Sequence, residues 1–252
     1  MFLAIDIGNT NVKAGLFNGD TLEDFLVSPD IKNIIHSVLQ KEIKSTAFTS
    51  VSPIKTTEFL KLFGKNFSIT PYQITHKSKF NLKIEYSTPG TLGIDRICSA
   101  EGVFNLYSKS QCNAQNDFII SVDFGTATTI NIVSSRGSFI GGLILPGIQM
   151  MFESLNKNTA QLPLVTENDY LNLVGSSTNS SIASGVITSI TGLLEKIEND
   201  LRENKQANSV LFYTTGGNAE RINQYLTVKF EYVKELVLIG VSEIYKNNSG
   251  LN

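Results

Sequence analysis

Phe2-Leu-Ala-Ile-Asp6-Ile7-Gly8-Asn9-Thr10-Asn11-Val12-Lys13 opens the chain with an apolar run that ends in a carboxylate and then turns. A second apolar run, Ala14 to Phe17, returns after the turn. The pattern predicts a β-hairpin whose turn presents backbone N–H groups beside a carboxylate. Amides of Gly8, Asn9 and Thr10 suit phosphate oxygens, and Asp6 suits a divalent cation, held directly or through water. Taken alone, such a stretch is more often an ordinary hairpin with no ligand.

A second copy changes that balance. Phe118-Ile-Ile-Ser-Val-Asp123-Phe-Gly125-Thr126-Ala-Thr128-Thr129-Ile repeats the plan nearly half of the 252-residue chain later. Two related halves, each giving an Asp-x-Gly turn to one cleft, would grip a nucleoside triphosphate from both sides.

The composition bounds the alternatives. Hydrophobic residues make up 41% and charged residues 17%, which is globular rather than disordered. A formal net charge of −2 argues against electrostatically driven nucleic-acid binding. Two cysteines, Cys98 and Cys112, and two histidines make neither a disulfide framework nor a zinc site. No apolar run approaches a membrane span, and the opening residues lack the form of a secretion signal, so the expectation is a soluble, cytoplasmic protein.

Along the chain, Thr21 to Val27 predicts a third strand, and Ile31 to Glu42 a helix capped by Asp30. A strand is expected from Thr46 to Val51, then a helix from Ile54 to Phe63 closed by Gly64. Ser68 to Ile74 and Leu82 to Tyr86 read as extended. This order is that of a ribonuclease-H-like domain. A Pro89-Gly90 turn then leads into a helix from about Thr91 to Leu106, with Asp95 and Arg96 near its start. There the helix dipole favours a carboxylate or a bound anion, although such residues are commonly a first-turn stabiliser and a solvated cation.

The polar stretch Ser108 to Asn116 is the natural boundary, dividing the chain into 1–115 and 116–252. In the second half, Gly137 to Leu145 is a strand containing Gly141-Gly142, and Pro146-Gly147 starts a helix reaching Leu155. Asn156 to Ser177 reads as a loop that could close over a ligand. Ser180 to Glu203 is the longest helix, and its small residues Ala183, Ser184, Gly185 and Gly192 suit either internal packing or a subunit interface. A strand from Val210 to Thr214 delivers Gly216-Gly217, and Leu236 to Tyr245 is the last helix.

These motifs, in this order, resemble the type III pantothenate kinases of the acetate and sugar kinase/Hsp70/actin superfamily. The resemblance runs from Phe2 to about Val241. It rests on Asp6 to Lys13, on Tyr86 with Gly93-Ile94-Asp95-Arg96, on Asp123 to Thr129, and on the later Gly141-Gly142, Pro146-Gly147 and Thr178. The fold it implies is α/β, with two ribonuclease-H-like (actin-like ATPase) domains of mixed five-stranded sheets flanked by helices. The active site would lie in the interdomain cleft.

The activity implied is ATP-dependent phosphorylation of pantothenate on its 4′-hydroxyl, the first step of coenzyme A biosynthesis. Asp95 would be the general base. Tyr86, Gly93, Ile94, Asp95, Arg96 and Thr178 would bind pantothenate, with Arg96 on its carboxylate. Asp6, Ile7, Gly8, Asn9, Thr10, Asn11, Val12, Lys13 and Thr126 would hold ATP. Asp6 would orient Mg²⁺, and Asp123 would ligate a monovalent cation, K⁺ or NH₄⁺. Asn131 stands where the family pattern commonly carries Asp. The family is typically homodimeric.

Two alternatives stay open: a sugar or other small-alcohol kinase of the same superfamily, and a non-catalytic regulatory homologue. The retained Asp6, Asp95 and Asp123 count against the second.

Overall fold

The computed structural model describes residues 1–110 and 117–250. The core of the polar boundary stretch, residues 111–116, and the last two residues of the tail lie outside the described residues. The chain divides into two compact units. Unit 1 comprises Met1–Gln111, Gly137–Ile140 and Glu235–Asn252; unit 2 comprises Cys112–Arg136 and Gly141–Lys234.

Unit 1 is built on β1 (Phe2–Ile7), β2 (Val12–Asn18), β3 (Thr21–Ser28), β4 (Ser45–Ser50) and β5 (Tyr72–Gln73), in the order β3-β2-β1-β4-β5. β1 is antiparallel to β2 and parallel to β4. Side chains alternate faces along a strand, and both faces of β1 are covered. Leu3, Ile5 and Ile7 pack with Ile31, Ile34, Ile35 and Val38 of α1 (Ile31–Val38) and with Phe59 and Phe63 of α2 (Pro53–Asn66). Ala4 packs on the other face with Cys98 of α3 (Ile94–Lys109) and with Val237, Leu238, Val241 and Ile244 of α7 (Leu236–Ser249). The same alternation puts Asp6 on the α3 face.

Asp30 caps α1 as expected, its side chain accepting from the Lys32 N–H at 2.8 Å. The helix ends at Val38, short of Glu42. Gly64 does not close α2, which runs through it to Asn66. A helical glycine costs only about 1 kcal/mol, and the buried Phe59 and Phe63 with the stacked Phe67 outweigh it. Ser52 caps the start of α2 and Pro53 occupies its first position, one residue earlier than expected.

Two features depart from a contiguous split of the chain. α7 groups with unit 1, although it follows all of unit 2 in sequence. It lies very close to α3: a Cβ on Gly240 would sit 2.6 Å from the Cys98 carbonyl carbon, and one on Gly102 would press on the Leu236 backbone. A glycine on each helix permits this approach. In addition, β6 (Lys83–Ile84) does not extend the first sheet. It pairs in parallel with the start of β9 (Ser138–Pro146), Lys83 opposite Ser138 and Ile84 opposite Phe139.

Unit 2 carries β7 (Phe118–Phe124), β8 (Ala127–Ser134), β10 (Val210–Thr215) and β11 (Phe230–Tyr232). The second sheet has the order β11-β10-β7-β8-β9-β6, six strands rather than five because β6 joins its edge. Helices α4 (Ile148–Lys157), α5 (Thr178–Asn204) and α6 (Ala219–Asn223) complete the unit. The expected loop before α5 contains a 3-10 turn, Glu167–Asp169, anchored by the buried Glu167 on Arg221. No helix among the described residues is long and apolar enough to cross a membrane.

Candidate active site

In unit 1 the first Asp-x-Gly bend is a four-residue connection. Ile7 pairs with Val12, and the Gly8 N–H donates to the Asn11 carbonyl at 3.0 Å. Ile7 and Val12 are buried, so their side chains take no part in ligand contact. Lys13 lies opposite Asp6, on β2, which is interior to the sheet and not an edge strand. Directly paired residues share a face, so the Lys13 stem leaves the sheet on the side of Asp6.

Asp95 enters the same neighbourhood from α3. Gly93 is the N-cap residue and Asp95 lies in the first turn, where the dipole favours a carboxylate. Asp95 Oδ1 accepts from the Arg96 N–H at 2.9 Å and folds over Gly93. Cys98, fully buried one turn further on, packs in the cluster that contains Ala4 of β1. Its pKa is raised well above the ordinary value, first by burial and then by the Asp6 carboxylate, with Asp95 and Glu101 contributing. Asp6 follows Ala4 by two residues on the face that Cys98 packs against, and Asp95 precedes Cys98 by one turn, so the two acids, distant in sequence, lie on one face of the first sheet.

Beside them, Arg96 is 5% exposed and its guanidinium carbon lies 5.8 Å over the Phe139 ring. The Tyr86 ring meets the same Phe139 edge-on at 6.1 Å. Tyr86 and Arg96 are thus joined through an aromatic that the sequence reading did not single out. Glu101 was also missed. It is fully buried and accepts from the Leu82 N–H at 2.8 Å and from Asn81 Nδ2 at 3.0 Å, fixing the segment that leads into β6 and Tyr86. Burial raises its pKa against the pull of those hydrogen bonds.

In unit 2 the second bend is tighter, Phe124 pairing with Thr128 across Gly125-Thr126-Ala127. Thr126 is exposed at its tip, and its carbonyl accepts from the Gly147 N–H at 3.1 Å. Asp123 at the end of β7 is hemmed in by backbone: a Cβ on Gly125 would lie 3.3 Å from Asp123 Oδ1, and one on Gly216 would lie 2.6 Å from the Phe124 carbonyl carbon. Gly216 also has φ +100°, which L residues rarely adopt. Only a glycine fits between Asp123 and this backbone.

The Asp123 carboxylate is an oxygen ligand of the kind that suits a hard cation, whereas the Gly125 and Thr126 carbonyls accept from Asn218 Nδ2 at 3.3 Å and from the Gly147 N–H at 3.1 Å. No group of three His, Cys, Asp or Glu among the described residues forms an all-protein metal cage. Asn131, opposite Ser121 in the strand pairing, donates its amide to Ser121 Oγ at 3.0 Å in the buried interior.

Thr178 is exposed in the first turn of α5, which is capped by Ser177. It lines an open groove of about 690 Å³ together with Leu155, Leu162, Gly175, Ser181 and Ile182.

Two mixed sheets flanked by helices, each with an Asp-x-Gly bend after the first strand of its unit, define the class: an actin-like ATPase fold. Solved structures share that fold. Component A of the (R)-2-hydroxyglutaryl-CoA dehydratase of Acidaminococcus fermentans aligns over 100% of this chain and 99% of its own, with a TM-score of 0.51 at 12% identity. The ethanolamine utilization protein EutJ of Carboxydothermus hydrogenoformans aligns over 95% and 88%, with a TM-score of 0.51 at 10% identity.

Sequence relatives narrow the class. The family model for type III pantothenate kinase matches residues 2–200. The type III pantothenate kinase of Chlorobaculum tepidum is 33% identical over 87% of this chain and 84% of its own length. That of Legionella pneumophila is 32% identical over 96% of each. The chain belongs to the type III pantothenate kinase family.

Proposed function

We propose that this chain transfers the γ-phosphoryl group of ATP to the 4′-hydroxyl of pantothenate, the entry step of coenzyme A synthesis. The observation that carries the reading is that Asp6 on β1 and Asp95 on α3 share the face where Ala4 packs on Cys98, beside the buried Arg96 and the half-buried Tyr86. Phosphoryl transfer asks for positioning and charge neutralisation more than covalent help. Asn9, Thr10 and Asn11 hold phosphate oxygens through their amides, and Lys13 supplies positive charge. Asp6 would orient Mg²⁺, whose charge would offset that of the phosphates, and Asp123 would hold a monovalent cation, K⁺ or NH₄⁺.

Asp95 takes the hydroxyl proton as the acceptor oxygen bonds to the γ-phosphorus and the bridging bond to ADP breaks. An alcohol is a weak nucleophile, and a positioned base contributes about 10²- to 10⁴-fold. Arg96, stiffened by the Phe139 ring, presents its planar fork to the pantothenate carboxylate. Tyr86 and the Gly93 and Ile94 backbone complete the acceptor contacts.

A homodimer fits the surface of unit 2. Leu164, Leu171, Leu173 and Val174, close in sequence, are 55%, 70%, 64% and 82% exposed, large apolar side chains of the kind an interface would cover. On α5, Ala183 and Ser184 are buried within the unit, whereas a Cβ on Gly185 or Gly192 would meet open space.

The test is ADP release by the purified chain with ATP, Mg²⁺ and K⁺, offered pantothenate and a panel of sugars and small alcohols in separate reactions. The reading predicts turnover with pantothenate alone. Turnover with a sugar and none with pantothenate would assign the chain to another kinase of the fold.

A further inference from the structure

Lys55 belongs to no motif in the sequence, yet it sits directly against the first bend. Its ammonium donates to the carbonyls of Gly8 at 3.2 Å, Asn9 at 2.7 Å and Thr10 at 3.3 Å. An ammonium has three protons, and here all three meet successive carbonyls of one loop. The lysine is held from behind. It occupies the third position of α2, where the Ser52 side chain accepts from its backbone N–H. The next residue, Thr56, bonds Ser50 Oγ at 2.7 Å and the Ser52 carbonyl at 2.9 Å, which ties the start of α2 to the end of β4. That strand end is itself registered against β1, Ser50 opposite Ile7.

The consequence follows from peptide geometry. Each planar trans unit points its N–H opposite to its C=O, and the described chain has no cis bond. Carbonyls of Gly8, Asn9 and Thr10 drawn to Lys55 therefore turn the amides of Asn9, Thr10 and Asn11 away from it, toward one concave side. Successive amides aimed the same way form an anion-binding nest. We propose that Lys55 is a positioning residue for the nucleotide, locking three loop peptides from behind so that their amides are set for phosphate before it arrives. It touches no reacting atom. Without it the three peptide units are free to rotate, and binding must supply the ordering.

The inference rests on the reading that residues 8–11 hold phosphate, and two variants separate the two claims. Gly8→Ala tests the loop itself, since its Cβ would lie 2.9 Å from the Asn11 carbonyl that accepts the Gly8 N–H. Lys55→Met tests the lysine, and Lys55→Arg asks whether charge alone suffices. The measurements are calorimetric ATP·Mg²⁺ affinity, KM for each substrate, and thermal melting.

With charge-assisted bonds lost, Lys55→Met should weaken nucleotide binding and raise the ATP KM by about tenfold or more. Its pantothenate KM should stay within twofold. Lys55→Arg should recover only part of the affinity, because a flat fork cannot reproduce three converging donors. Should Lys55→Met not fold, Lys55→Gln, which keeps an amide donor at shorter reach, gives the same comparison. If Gly8→Ala loses ATP affinity and Lys55→Met keeps it, the lysine's role is overturned while the loop reading stands. If neither loses it, the phosphate-loop reading fails and the proposal with it. Equal losses for both substrates, with a lowered melting temperature, would make Lys55 a general stabiliser and overturn the proposal.

Discussion

Replacing Gly93 by Ala should disable the base without unfolding the chain. Gly93 has φ −54° and ψ 133°, a conformation any residue adopts, so the backbone accepts alanine. The added Cβ, however, would run into Asp95 Oδ1, well inside the roughly 3 Å that real Cβ contacts keep. The carboxylate is the mobile end of a short side chain, so it yields rather than the helix. It must retreat by roughly half an ångström, giving up the 2.9 Å bond from the Arg96 N–H, and misplacement on the order of 1 Å can cost about 100-fold in rate. The expected outcome is a kcat lower by roughly 10- to 100-fold, with the ATP KM and melting temperature little changed. Steady-state assays on Gly93→Ala, Asp95→Asn and the double variant read this directly. If alanine acts by moving Asp95, it should cost almost nothing further once Asp95 is Asn, a coupling that double-mutant cycles resolve. Full additivity, or wild-type turnover in Gly93→Ala, would refute the reasoning.

Gly240→Ala should destabilise the protein by about 2 kcal/mol or more, since its Cβ would run into the Cys98 backbone and overpacking of this kind has few escapes; a denaturant midpoint near wild type would contradict that. Asp20 is held at a pKa of about 2 by Lys109 and then Lys246, below its ordinary 3.8. A depressed carboxylate stabilises the fold above its unfolded pKa, so this contribution is present above about pH 4 and lost as pH falls toward 2. Its side chain is 61% exposed, so Asp20→Asn should remove only about 1 kcal/mol or less at neutral pH and flatten the acid limb of the stability curve. Glu101 has the opposite sign: its raised pKa means that stability is lost as pH rises above the ordinary carboxylate value. Glu101→Gln should remove that part of the slope in melting temperature as pH rises above the ordinary carboxylate range. Finally, Val174→Asp should shift sedimentation toward the monomer, and an unchanged mass would dissociate this surface from assembly.

The parts legible in the sequence are those set by local chemistry. β1, the bend and β2 were readable because strand periodicity, a carboxylate and a glycine turn lie within twelve residues, and Asp30 because its bond reaches only two residues on. Helix α2 overran Gly64 because buried Phe59 and Phe63 decide its length, a tertiary term that propensity does not carry. The grouping of α7 with unit 1 was illegible for a related reason: Gly102 and Gly240 meet only after the whole of unit 2 has intervened. At the site, Asp6, Asp95 and Arg96 carried their own signals. Phe139 and Lys55 did not. Each is ordinary in its local context and becomes informative only through strand pairing, β9 beside β6 and β4 beside β1.

The most direct test is to incubate the purified chain with ATP, Mg²⁺, K⁺ and pantothenate and to follow the acceptor by mass spectrometry and ³¹P NMR. The account predicts one phosphoryl group gained per pantothenate, as a monoester at the 4′-oxygen, with Asp95→Asn slowed by about 10²-fold or more yet still binding ATP. Unmodified pantothenate beside a folded, nucleotide-binding protein would contradict it, as would an Asp95→Asn variant that turns over at the wild-type rate.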